Sequence, residues 1–241
     1  MPLLAIETAT PQMGVALTDG ERTLASYELL AGNPHAVELP GAVTRVLEAG
    51  RSALDRLEAI VVDIGPGSFT GLRIGLAFAK ALAFSHKLPL IGVPSLDVLA
   101  AQLPFVPHQL CPLLDAKQKN VYSALYQLNG GGARRKTELL LGPLEETLAL
   151  IKEPTVFVGD GCALYRDRIA ERLGAKALFA APELWYPHAA VLARRGAERF
   201  ARGERDDPAR LVPLYLYPLD CSVRGPGRPT SVLPNKPVPA A

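Results

Sequence analysis

Cysteine is scarce in this chain. Its three cysteines are Cys111, Cys162 and Cys221, and no two stand at metal-ligand or redox spacing. A scattered, odd set excludes a disulfide framework and suits a reducing cytoplasm, where each is an ordinary packed thiol. Charge of one sign is also lacking. A net charge of +2 does not mark an independent nucleic-acid binder, which carries a strong basic excess. Nor is there any run of about twenty uninterrupted apolar residues, so a membrane span is not expected. The start, Met1-Pro2-Leu3-Leu4-Ala5-Ile6-Glu7, has no basic segment and meets an acid too early for a signal peptide. It reads as a first strand. Catalytic signatures are absent too: no His-Glu-x-x-His zinc helix, no Gly-x-Ser-x-Gly nucleophile elbow, and no Gly-Lys-Ser/Thr ending a phosphate loop.

What is present is 241 residues with 49% hydrophobic content, enough for two small domains and a substantial core. The strongest local signal is Asp63-Ile64-Gly65-Pro66-Gly67-Ser68-Phe69-Thr70-Gly71-Leu72-Arg73-Ile74-Gly75. It follows the strand-like run Ala59-Ile60-Val61-Val62 and leads into a helix expected from Thr70 to Ser85, with Thr70 as N-cap. Glycines at a strand-to-helix turn admit two readings. Backbone N–H groups at a helix N-terminus attract anions. Alternatively, the glycines permit close helix–sheet packing.

The helix after this loop is apolar on most sides, with Arg73 and Lys80 as its charged members. Such a helix is buried on more than one side. Gly71, Gly75, Ala79 and Ala83 recur every four residues, a ridge that lets another helix approach closely. The apolar surplus is met either inside the protein or by a partner. A second helix is expected from Ala36 to Ala49, with Leu39, Val43, Val46 and Leu47 as its core stripe and Arg45 and Glu48 in solvent. Val37 and Thr44 on this helix, with Gly71, Arg73, Gly75, Ala79, Lys80 and Ala83 on the other, form the expected partner interface.

The chain also repeats itself. Leu3-Leu4-Ala5-Ile6-Glu7, a turn and Val15-Ala16-Leu17 match Leu110-Cys111-Pro112-Leu113-Leu114-Asp115, a turn and Ser123-Ala124-Leu125, at equal spacing. Each opening is followed by a third strand (Thr23 to Leu29; Thr137 to Leu141), then helix, strand and helix, which predicts two mixed α/β sheets on one plan. The expected domains are 1–94 and 95–187, divided at Val93-Pro94-Ser95, with a helix over 188–202 packing back on the first. Asn33-Pro34 marks a turn. Residues 225–241 are proline-rich, lack acids and are expected to be a disordered, mildly basic tail.

Ala5-Ile6-Glu7-Thr8-Ala9-Thr10, the loop Gly65 to Gly75, Gly92-Val93-Pro94-Ser95-Leu96-Asp97, Leu114-Asp115-Ala116 with Val121-Tyr122, Gly159-Asp160-Gly161 and Pro213-Leu214-Tyr215-Leu216 closely resemble the bacterial TsaB (YeaZ) family. The resemblance spans Leu3 to Leu216, and the Gly-Pro-Gly-Ser-Phe-Thr-Gly loop is highly specific to it. It implies the two-domain actin/Hsp70-like (ASKHA) fold, with duplicated mixed β-sheets flanked by helices. It also implies a role in synthesis of threonylcarbamoyladenosine (t6A) in tRNA, as a cytoplasmic, non-catalytic companion. The implied partners are the catalytic TsaD subunit, bound through the first two helices, and the TsaE ATPase. A homodimer is implied when the protein is alone, with tRNA met mainly through the complex. ATP, magnesium and metal are expected on those partner subunits, and no cofactor on this chain alone.

The residues agree with a missing catalytic site. The catalytic relative holds metal with His-x-x-x-His on its first helix, where both imidazoles share a face. Here His35 is followed four residues later by Leu39, which leaves His35 as a helix-start residue. His86, His108 and His188 form no ligand pattern. Glu7, Thr8, Thr10, Asp115, Gly159 and Gly161 make up a candidate remnant of a nucleotide site. The alternative reading is a small-molecule kinase or ATPase of the same fold, with Glu7 and Asp115 handling magnesium-bound phosphate.

Overall fold

The computed structural model describes residues 1–30, 35–129 and 132–217. The Asn33-Pro34 turn, Cys221 and the proline-rich tail lie outside the described residues.

A continuous apolar run, Leu3-Leu4-Ala5-Ile6, opens a sheet buried on both faces. Strands β1 (Pro2–Glu7), β2 (Gln12–Asp19), β3 (Arg22–Leu30), β4 (Ala59–Asp63) and β5 (Leu90–Val93) lie in the order β3-β2-β1-β4-β5. The first three are antiparallel neighbours, and β1, β4 and β5 run parallel. Leu4, Ile6, Ile60 and Val62 face helices α1 (His35–Ala49) and α2 (Phe69–His86), which lie on one side. Leu3, Ala5, Ala59 and Val61 face the other side, because successive strand side chains point to opposite faces.

The second half repeats the plan. Strands β6 (Gln109–Asp115), β7 (Asn120–Ser123), β10 (Leu140–Pro143), β11 (Thr155–Val158) and β12 (Ala177–Phe179) lie in the order β10-β7-β6-β11-β12, element for element the order of the first sheet. Helices α4 (Leu144–Leu150) and α5 (Gly161–Leu173) cover one face with Leu144, Leu148, Cys162 and Ile169. This duplicated plan is the actin/Hsp70-like fold.

The repeat departs from the expected spacing in two ways. Glu7 pairs with Gly14, whereas Asp115 pairs with Val121, so the second hairpin turn is one residue shorter. Lys117, Gln118 and Lys119 close it with φ of 63°, 50° and 65°. These are left-handed values that non-glycine residues adopt in tight turns. Leu125, expected in the second strand, falls beyond β7. There the chain turns into an additional hairpin, β8 (Tyr126–Asn129) and β9 (Gly132–Arg135), that the first half lacks.

The helices that end each half are exchanged. After β5 the chain passes into α3 (Ser95–Ala101), whose Leu96, Leu99 and Ala100 pack with Leu110 and Leu114 of the second sheet. After β12 it returns in α6 (Ala189–Ala201), whose Leu192 and Ala193 cover Leu3, Ala5 and Val61 of the first. Gly196 lets α6 lie flat there, since a Cβ at this position would strike Val61. The segment from Leu211 then bridges both cores: Leu211 sits with the first and Leu216 with the second. Among the described residues, no helix is long and apolar enough to cross a membrane.

Candidate functional site

In open α/β sheets the crevice at the carboxyl ends of parallel strands is where ligands bind. In the first sheet that place is held by two acids. Ile6 pairs with Val62, which sets Glu7 and Asp63 side by side at the ends of β1 and β4. Both are fully buried. Glu7 Oε1 accepts the Ala9 N–H at 2.7 Å. Asp63 Oδ1 accepts the Gly65 N–H and the Ser95 hydroxyl, each at 2.6 Å. Glu7 Oε2 and Asp63 Oδ2 are buried and have no hydrogen-bond partner among the described residues. Two neighbouring buried carboxyls disfavour both being charged. Burial and the Asp63 charge raise Glu7 well above the usual carboxylate range, and burial raises Asp63 as well. Asp63 and Ser95 were not among the expected site residues. The signal for Asp63 was a strand-ending acid, the same pattern that drew attention to Glu7.

The glycine loop receives the protein's own β1–β2 turn. The Ser68 N–H donates to the Ala9 carbonyl at 2.7 Å, and the Thr8 hydroxyl donates to the Gly71 carbonyl at 2.9 Å. A Cβ on Gly67 would collide with the Ala9 carbonyl, and one on Gly71 with the Thr8 carbonyl. Thr10 donates to the Gln12 carbonyl at 3.1 Å. His35 opens α1 and is buried, with Nε2 donating to the Thr10 carbonyl at 2.9 Å. Of the two sequence readings of this loop, close packing is the one these contacts support. The cap also differs from expectation. Helix α2 begins at Phe69, and Ser68 is its N-cap, its hydroxyl accepting the Gly71 N–H at 3.2 Å. Thr70 is already inside the first turn.

The small-residue ridge is corrected as well. Gly71, Gly75, Ala79 and Ala83 are buried and face the protein's own interior, so they are not an open partner surface. The physical reason is the closeness of α2 to the end of β1, which leaves no room for a side chain at Gly71 or Gly75. The outward residues of the expected interface are Val37 and Thr44 on α1 and Arg73 on α2, all exposed, with Lys80 half-buried. Two aromatics not singled out from sequence join this face: Phe69 is 53% and Phe84 87% exposed. Arg73 lies over the Phe69 ring, 3.9 Å from its centroid, and donates through Nε to the Tyr215 hydroxyl at 3.1 Å.

Asp115, Gly159 and Gly161 stand at the matching ends of β6 and β11. The Asp115 N–H donates to Asp160 Oδ1 at 2.9 Å, and the Asp115 carboxylate pairs with Lys117 Nζ at 2.6 Å. Burial pushes Asp160 up to about 6. Gly159 has φ of 125°, and a Cβ there would strike the Leu113 carbonyl. Gly161 packs on Leu113 too. These glycines bring the β11–α5 turn against β6. Among the described residues, no hydrogen bond joins Glu7, Thr8 or Thr10 to Asp115, Gly159 or Gly161.

Comparison with known proteins accords with this architecture. The family model described as TsaD, tRNA N6-adenosine threonylcarbamoyltransferase, matches residues 29–216. The tRNA threonylcarbamoyladenosine biosynthesis protein TsaB of Bacillus subtilis (strain 168) is 34% identical over 219 residues, covering 90% of this chain and 94% of the relative. Its counterpart in Escherichia coli (strain K12) is 30% identical over 222 residues, covering 90% and 94%. The solved structure of YeaZ from Pseudomonas aeruginosa superposes with a TM-score of 0.76 at 29% identity, covering 89% of this chain and 99% of that one.

Proposed function

The chain belongs to the TsaB (YeaZ) family of tRNA threonylcarbamoyladenosine biosynthesis proteins, and on that premise we propose that it serves t6A synthesis as a non-catalytic, activating scaffold. It binds the catalytic TsaD subunit through the outer faces of α1 and α2, works with the TsaE ATPase, and pairs with itself when alone. One observation carries the reading. The strand ends where this fold binds phosphate are filled by the chain itself: Thr8 and Ala9 occupy the glycine loop, and Glu7 is fully buried beside Asp63. A Glu7 so placed is closed to magnesium-bound phosphate, which argues against the kinase reading. In contrast, the α1–α2 face offers what a protein partner uses. Val37, Phe69 and Phe84 are exposed apolar groups, and Arg73 lies over the Phe69 ring. Exposed apolar patches of this kind mark interaction surfaces, and aromatics with arginine anchor them.

Reconstituted t6A synthesis with the catalytic and ATPase partners tests this directly. Modification is expected only when this chain is present, to survive Asp115→Ala, and to fail for Phe84→Arg in a folded protein. Modification that proceeds without the chain, or stops with Asp115→Ala in a folded, paired protein, would overturn the scaffold role.

A further inference from the structure

A second place in the molecule gathers charge, away from the α1–α2 face. The exchange of terminal helices sets α6 beside the extra β8–β9 hairpin, and a cavity of about 380 Å³ opens between them. Arg134 and Arg135 line it from the hairpin, Arg195 and Arg202 from the end of α6, and Asp97 and Glu198 are the acids among the lining residues. Arg195 is paired with Glu198, and Arg202 Nε donates to Glu204 Oε1 at 2.6 Å, so the four guanidinium groups stand against three carboxylates and exceed them by one charge. Asp97 Oδ1 already accepts the Tyr126 hydroxyl at 2.5 Å, and Arg135 Nη1 forms a long ion pair with the same oxygen at 3.7 Å, without a hydrogen bond. That Nη1 is buried with no hydrogen-bond partner among the described residues. A buried guanidinium N–H that makes no hydrogen bond is costly, and an added acceptor relieves that cost. Arginine's planar fork suits oxyanions, phosphate above all, with two parallel bonds.

We propose that this cavity binds backbone phosphates of an RNA chain, which, on the t6A reading above, is the tRNA substrate of the complex. The geometry favours a phosphodiester over a free nucleotide. Tyr126, the aromatic residue among those lining the cavity, is 1% exposed, so no ring is presented for a base to stack on. Recognition is therefore of the anion and not of the base. The arginines come from two separate elements, which suits two successive phosphates better than a single carboxylate. The chain's small net charge makes the contact an auxiliary one, strengthened when a partner holds the RNA nearby.

The test is fluorescence anisotropy of labelled tRNA with the full chain alone, titrated from low to physiological salt. The proteins compared are the wild type, the double variant Arg135→Gln/Arg202→Gln, and Arg22→Gln on the edge strand β3 as a control. Using the chain alone separates this inference from the scaffold role, which needs no direct RNA contact. Removing one arginine–phosphate pair lowers the salt slope by about 0.9. The double variant is expected to bind about tenfold more weakly at low salt, with a slope smaller by about 2. The control is expected to match the wild type. Equal affinity and slope in the double variant, with unchanged circular dichroism, would overturn the proposal. So would loss of inorganic phosphate or AMP binding without any change for tRNA, which would make the cavity a small-phosphate site. Absence of wild-type binding at low salt would overturn it too.

Discussion

Gly75 of α2 lies directly against Thr8 at the end of β1: a Cβ on Gly75 would run into the Thr8 hydroxyl, which itself holds the Gly71 carbonyl at 2.9 Å. Replacing Gly75 with Leu is therefore an overpacking change in the monomer. It should lower stability by roughly 3 kcal/mol or prevent folding. A thermal melt of the purified variant checks this. A Gly75→Leu protein with wild-type melting behaviour would mean that the α2–β1 contact is looser than described.

Phe84 projects from the opposite side of the same helix and is 87% exposed. Phe84→Arg should leave stability within about 0.5 kcal/mol of wild type, since surface changes away from special features are nearly neutral. On the self-pairing proposed for this face, self-association should nevertheless weaken strongly, because a charge replaces an apolar group. Sedimentation velocity across a concentration series distinguishes the two effects.

Glu7 makes a prediction about pH. Its folded-state pKa is raised by burial and by Asp63, above its unfolded value. The native state therefore binds the proton more tightly than the unfolded chain does. Its contribution is fully present below the usual glutamate range and declines as pH rises toward the elevated native value. Glu7→Gln keeps an oxygen for the Ala9 N–H without the titration. Its stability should fall less steeply than wild type between about pH 5 and neutrality. Denaturant melts at several pH values give the slopes, and parallel curves would remove Glu7 as their source.

Asp160 should act in the same direction over a lower window. Burial raises it to about 6, so its stabilising contribution is lost as pH climbs from about 4 to 6. Asp160→Asn retains an oxygen for the Asp115 N–H and should flatten that part of the profile. A double variant with Glu7→Gln should be additive, because Glu7 ends β1 in the first half and Asp160 caps α5 in the second.

Tyr215 ties the last described segment to α2 by accepting from Arg73 and lying 5.2 Å, centroid to centroid, from Phe69. Tyr215→Phe keeps the ring and removes one exposed hydrogen bond. The expected loss is about 0.5 to 1 kcal/mol. Hydrogen exchange should rise first at Leu214, whose N–H donates to the Ile64 carbonyl at 2.7 Å. Exchange unchanged at Leu214 would show that its backbone bond holds the segment without Tyr215.

Much of the architecture was legible because it rests on local patterns. The apolar run Ala59 to Val62 became a strand, and Leu39, Val43, Val46 and Leu47 became the buried stripe of α1. Equal spacing of the two hairpin openings revealed a duplication that the matching strand orders display. The spacing concealed the tighter turn at Lys117–Lys119, whose left-handed residues carry no glycine signal. The β8–β9 hairpin was hidden for the opposite reason: it has no counterpart in the first half from which to read it.

Small residues at fourfold spacing say that something approaches the helix closely, but not what. Gly71 and Gly75 accept Thr8 of the same chain, a contact across more than sixty positions that periodicity cannot reveal. Nor can it tell that Glu7 and Asp63 meet, for that depends on the parallel register of β1 and β4. Composition and pattern by themselves determined two α/β halves with a strand-to-helix glycine turn and a family's loop. Only the tertiary structure decided that the turn is filled from within, that the two acids lie buried side by side, and that arginines far apart in sequence line one cavity. Local propensity depends on neighbours along the chain, whereas burial, charge pairing and access depend on what folding brings alongside.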